Sequence, residues 1–90
     1  PTSLIAESIS CGTSARALSG ISTPIHSGVY VCSDPANTSN VRVGNSSLVS
    51  NGNRGKILEP GESVFLQVDN LTKIYARSIS GNSMVNVIGS

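Results

Sequence analysis

Few residues in this chain could do chemistry. His26 is the single histidine, and Cys11 and Cys32 are the two cysteines. One imidazole supplies at most one general base at neutral pH. A nucleophilic thiol needs such a base within hydrogen-bond reach. Cys32 lies six residues from His26, and on one strand that spacing puts their Cα atoms on the order of 20 Å apart. Cys11 is free to approach His26 through space, but no motif joins them. Two cysteines and one histidine fall short of the four ligands that a structural zinc site takes. The acids are Glu7, Asp34, Glu59, Glu62 and Asp69. Four of these five stand in turn-like contexts, where a carboxylate accepts from backbone N–H groups. A glycosidase needs two carboxylates facing one another across a cleft, and a thin chain of 90 residues offers little cleft. There is no P-loop, no dinucleotide fingerprint and no metalloprotease helix motif. The expectation is a protein with no catalytic residue, no metal and no cofactor.

The bulk composition narrows the remaining classes. Ninety residues make one domain, and a domain of this size buries only about 60–65% of what its unfolded chain exposes. Aromatics are 3% of residues and there is no Trp, so the apolar 38% comes mostly from Val, Ile, Leu and Ala. The core is therefore thin, and association with a partner or a second copy is expected to contribute stability. Charged residues are 12% and the net charge is +1. That balance provides neither the basic footprint that nucleic acid needs nor a polybasic membrane patch. Tyr30, Phe65 and Tyr75 could be stacking platforms for single-stranded nucleic acid, but without a positive groove their packing in a core or interface is the better reading. No apolar run approaches the roughly 20 residues of a membrane helix. No charged, apolar-cored leader opens the chain, so a reduced compartment and two free thiols are expected. For the same reason the N-x-[ST] matches at Asn37, Asn45 and Asn70 are discounted as glycosylation sites.

The elements that hold these residues read as β from Gly12 onward. Val29 and Val31 share one strand face, with Tyr30 and Cys32 on the other. Asp34-Pro35-Ala36-Asn37 reads as a turn, because Pro presets the second position and lacks a ladder N–H. Val41-Arg42-Val43 is a short strand. Residues 44–55 form the longest turn-rich tract, anchored only by Leu48 and Val49. Asn51-Gly52 there predicts a type I′ turn in an exposed loop tip or small hairpin, mobile unless a partner holds it. Glu59-Pro60-Gly61-Glu62 predicts a type II turn. Val64, Leu66 and Val68 share a face, as do Ile74 and Ala76, with Tyr75, Arg77 and Ile79 opposite. Gly81-Asn82 is read as a last hairpin turn before a strand that turns Val85 and Val87 inward, with Met84 and Ile88 as the alternative inward pair. Residues 1–10 are expected as an extended N-terminal arm, with Leu4, Ile5 and Ile9 laid against a neighbour, and residues 11–90 as a single domain. The predicted fold is all-β, a small antiparallel β-sandwich or barrel of about six to seven short strands.

One tract of the chain is also familiar. The runs Asp34-Pro35-Ala36-Asn37-Thr38, Val41-Arg42-Val43-Gly44-Asn45 and Leu58-Glu59-Pro60-Gly61-Glu62-Ser63 are followed by Val68-Asp69-Asn70-Leu71 and Lys73-Ile74-Tyr75. A short strand, VNVIG, closes the pattern. Together they resemble small virion structural proteins of tailed bacteriophages, cyanophages among them. The likeness spans about two-thirds of the chain and departs from the pattern at Arg42, where a Tyr is common. Its residues are turn and core residues, so none carries over as a functional residue.

The resemblance implies a virion component found on the capsid surface and assembled in the host cytoplasm. The leading expectation is a capsid cement or decoration protein, a homotrimer bound to the major capsid protein or to neighbouring virion proteins. A surface module that recognises a host glycan or protein is the first alternative. A head–tail connector or tail-completion protein is the second. The expected interface residues are the arm (Leu4, Ile5, Ile9), the loop anchors Leu48 and Val49, and Tyr75 and Arg77 on the outward face of a late strand. Neither nucleic acid nor membrane is expected as a partner.

Overall fold

The computed structural model describes residues 4–90. Eight strands form: β1 (Ile5–Cys11), β2 (Arg16–Ala17), β3 (Val29–Ser33), β4 (Val41–Gly44), β5 (Lys56–Leu58), β6 (Ser63–Leu66), β7 (Tyr75–Ser78) and β8 (Ser83–Gly89). A single helical turn, α1 (Ser47–Ser50), sits between β4 and β5, and a 3-10 turn, Leu71–Lys73, precedes β7. The strands are short because glycine and proline interrupt the β-branched runs every few residues. Within them, alternation holds: Val29, Val31, Val85 and Val87 are buried, and their odd neighbours Tyr30, Met84 and Ile88 are exposed.

Two four-stranded antiparallel sheets result. The first has the order β1-β8-β3-β6, and the second β2-β7-β4-β5. Numbered along the chain, every connection except β4–β5 passes from one sheet to the other. That interleaving is the double Greek key of a jelly-roll sandwich, here with open edges and no barrel closure. The Asp34-Pro35 and Gly81-Asn82 reversals are therefore arches between sheets, not the hairpins their sequences suggest. Turn chemistry specifies that the chain reverses; it does not specify which sheet receives the next strand. Burial decides that, since each sheet has one apolar face and must set it against another.

Between the sheets lies an entirely aliphatic core. Val29, Val31, Val85 and Val87 meet Val41, Val43, Leu58, Leu71, Ile74 and Ala76, with Cys11, Leu18 and Ile25 at one side. No aromatic ring is buried in it. Three buried serines interrupt the apolar layer and are satisfied locally. The Ser78 and Ser83 hydroxyls share a hydrogen bond of 2.8 Å, and Ser33 Oγ accepts from Asn37 Nδ2 at 3.0 Å.

The expected N-terminal arm needs correction. Its residues 1–3 lie outside the described residues, but residues 5–11 pair with β8 at seven consecutive positions, Ile5 with Gly89 through Cys11 with Ser83. The segment is extended as predicted, and its partner is the same chain. Ile5 and Ile9 point inward and pack on the core, because the period of two that extends the segment also sends every second side chain to the apolar side.

The 44–55 tract is also more ordered than its sequence suggests. Leu48 on α1 is 1% exposed, buried apart from the main core cluster, beside Ala15 and Arg77. Asn45 Oδ1 accepts from the Ser47 N–H at 3.0 Å and starts the turn. Asn51-Gly52 does not form a type I′ turn, since no non-glycine residue has positive φ and the left-handed glycine is Gly55, at φ +80°. Glu59–Glu62 is the type II turn expected: Gly61 has φ +88°, and the Glu62 N–H donates to Glu59 O at 2.9 Å.

Candidate docking face

The outer faces of the two sheets differ in kind. On the second sheet, Arg42 and Arg77 stand directly opposite one another on β4 and β7. Like charges in that position repel, and each guanidinium is occupied by the chain's own loop. Arg77 Nη1 donates to Gly52 O at 2.8 Å and its Nε to Thr13 O at 2.8 Å. Arg42 Nη1 donates to Gly55 O at 3.4 Å, while its Nε is buried without a partner. Gly55 lies so close to β4 that a Cβ there would meet Val43 O at 2.2 Å. The loop of residues 45–55 is thus folded back over this face and clasped by two arginines.

The first sheet has no such cover. Its register aligns Ala6 on β1, Ile88 on β8, Tyr30 on β3 and Phe65 on β6 in one row across all four strands. Tyr30 is 52% exposed, Ile88 50% and Phe65 46%. The two rings form a tilted pair with centroids 4.9 Å apart. Phe65 leans over Gly28, whose absent side chain leaves room for the ring. Leu4, just before β1, is itself exposed. The next row, Ser8–Asn86–Cys32–Ser63, is polar. Asn86 accepts from Ser8 Oγ at 2.8 Å and donates to Asp34 Oδ2 at 3.0 Å.

The residues singled out from sequence scatter relative to this row. Leu4 is exposed just before β1. Ile5 and Ile9 serve the core, Leu48 is buried apart from it, Val49 is exposed on α1, and Arg77 holds the loop. Tyr75 is half-buried on the second sheet. Leu48, Val49 and Arg77 do line one open depression of about 500 Å³, with Thr13, Ser14 and Asn53. Sequence reasoning put Tyr30 on the face away from Val29 and Val31, but it missed the row. A row forms only when non-consecutive strands pair, and the pairings Tyr30 with Ile88 and with Phe65 are invisible without the topology.

The groups considered for catalysis lie apart. Cys11 and Cys32 are free thiols. Burial pushes the Cys11 thiol up, against the opposing pull of Arg16, so it stays protonated at neutral pH. His26 is exposed and lines an open depression of about 530 Å³ that also contains Asp69 and Lys73. Among the described residues no group of three or more His, Cys, Asp or Glu is placed to hold a metal ion.

Three asparagines act as fasteners that the sequence did not reveal. Asn37 Nδ2 donates to Met84 O at 2.9 Å, and its Oδ1 accepts from the Met84 N–H at 2.8 Å, tying the β3–β4 arch to β8. Asn70 Oδ1 accepts from the Thr23 and Thr72 N–H groups, joining the long β2–β3 connection to the 3-10 turn. Asn45 accepts from the Ser47 N–H at the start of α1, as described above. Asp34 is also engaged: the Ala36 N–H, and then Asn86, hold its carboxyl below the usual carboxylate range. Compared with protein-family models, with curated proteins and with solved structures, the chain finds no match.

Proposed function

We propose that this chain is a non-enzymatic virion structural protein of a tailed bacteriophage. In this reading it is a capsid cement or decoration protein that seats the outer face of its first sheet on the major capsid protein. The observation that carries this is the uncovered apolar row Ile88–Tyr30–Phe65 on a molecule whose opposite face is covered by its own loop. The sequence resemblance supplies the setting. The jelly-roll topology agrees with it, being common in viral capsid domains, although a fold alone never fixes a role.

Magnitudes favour action in several copies. Four strands at about 4.8 Å spacing, with seven residues along β8 at about 3.3 Å each, give a face of roughly 440 Å². A standard interface takes about 800 Å² per partner. Burying the exposed half of three large side chains removes roughly 300 Å² of apolar surface, worth about 7 kcal/mol before costs. Association costs about 4–15 kcal/mol in lost freedom. One copy therefore binds weakly, whereas a homotrimer engaging three equivalent sites gains from effective concentration. Bound to the intact shell and not to its disrupted form, many copies stabilise the shell by mass action.

The test is co-sedimentation of the purified chain with particles of the phage that encodes it, alongside the solution mass by light scattering. The expected results are saturable binding at hundreds of copies per particle and loss of binding in Tyr30→Ser/Phe65→Ser. A few copies per particle would favour a connector piece, and no binding would remove the cement reading.

A further inference from the structure

A second site lies at the β5–β6 edge of the sandwich, on the inward side of the strand that carries Phe65. β5 is three residues long and covers β4 only from Val41 to Val43. The tight Glu59–Glu62 turn then carries the chain into β6 of the other sheet. Beyond that turn the two sheet edges have nothing between them. Val64, Leu66 and Val68 point toward the core from the β6 side and stay half-buried. Val43 and Ile74 face them, and the cleft between has about 200 Å³ of space. Its floor is aliphatic. Two exposed lysines, Lys56 and Lys73, line its mouth. Lys73 is engaged with Asp69 at 2.7 Å, the one ion pair among the described residues, so Lys56 is left with no acidic partner.

These features define the occupant. An apolar cavity of about 150 Å³ takes a benzene-sized group, so this one accepts a single ring or branched side chain and no more. An ammonium group at the rim of an apolar floor complements a carboxylate placed next to such a side chain. We propose that the cleft is an anchor site for a segment of a partner protein that presents one large apolar side chain with a carboxylate beside it. The site is separate from the apolar row and does not depend on it.

The probe is N-acetyl-phenylalanine, compared with N-acetyl-phenylalaninamide, which has the same ring and no charge. Each is titrated into the intact chain while backbone amide shifts are followed by NMR. A single anchor is expected to bind in the millimolar range, with shifts confined to Val64, Leu66, Val68 and Ile74. The acid should bind several-fold tighter than the amide. Lys56→Gln, an exposed change that leaves the fold intact, should erase that difference. Val64→Phe, which fills the cleft, should remove binding of both while the spectrum stays dispersed. The proposal is overturned by the absence of shifts at about 10 mM probe, by equal binding of acid and amide, or by shifts elsewhere. Much tighter binding of octanoate than of either probe would make the cleft a lipid site and would overturn it equally.

Discussion

Gly55→Ala tests whether the 45–55 loop is seated on the second sheet, and Gly61→Ala is its control. Both glycines have left-handed backbones, φ +80° and +88°. Alanine in that conformation costs about 1–2 kcal/mol, partly offset by about 0.4–1 kcal/mol from a less flexible unfolded chain. At Gly61 a Cβ meets nothing within 4 Å, so the backbone cost is the whole effect. At Gly55 the same Cβ would sit 2.2 Å from Val43 O, 2.9 Å from Val43 C and 3.1 Å from Gly44 Cα. All three are backbone atoms of β4, a strand paired on both sides, so they cannot step aside. Relief requires Gly55 to lift off the sheet, which strains the Lys56–Val43 register and opens the Arg42–Gly55 contact. Overpacking of this kind costs a further 1–3 kcal/mol or so. Urea unfolding should therefore show Gly61→Ala down by about 0–1.6 kcal/mol and Gly55→Ala by about 1–3 kcal/mol more than that. The backbone and unfolded-state contributions cancel in the difference between the two variants, which isolates the collision. Limited proteolysis should also cut Gly55→Ala within residues 50–55 faster than the parent. Equal destabilisation of the two variants, within about 0.5 kcal/mol, would refute the seated loop and with it the asymmetry between the two faces.

Further predictions concern the fasteners, the acid and the row. Asn70→Ala strands the Thr23 and Thr72 N–H groups and should lower stability by about 1–3 kcal/mol, read from the urea midpoint. Asp34 has a folded-state value below the ordinary carboxylate one. Its contribution is therefore present above the ordinary carboxylate range and is lost as pH falls through the lowered value. Asp34→Asn should consequently lose less stability than the parent on acidification, followed by circular dichroism. Ile88→Ser lies on a half-exposed outer position and should change stability by no more than about 1 kcal/mol, while reducing particle binding in the co-sedimentation assay.

What could be read from the sequence was local. Val29-x-Val31 and Val85-x-Val87 show strand faces because one buried face imposes a period of two. Pro60-Gly61 shows its turn because only glycine takes φ +88° without strain. What could not be read was non-local. Gly81-Asn82 has hairpin chemistry, yet the strands it joins lie in different sheets, since burial and not turn type assigns them. Ser46 to Arg54 is polar enough to read as a free loop. Its order comes from one buried side chain, Leu48, and from two arginines that are far away in sequence. Asn37 and Asn70 look like turn residues or chance glycosylation matches. Their partners at Met84 and Thr23 appear only once the sandwich has closed.

The two outer faces carry the functional reasoning further than any single residue does. A thin aliphatic core leaves this chain few large side chains, and it holds three of them outside on one sheet. Tyr30, Phe65 and Ile88 could have been serines without loss to the core, because their positions face away from it. On the other sheet the chain uses residues 45–55 to cover a similar surface with its own backbone, though arginines there would tolerate water. The cover is partial, since Ile57 beside Arg42 and Val49 on the loop stay exposed, but no loop of the chain is clasped over the Tyr30–Phe65–Ile88 row. Under the proposed cement role, a face this small gains strength from repetition, and the repeating surface of a capsid would supply it.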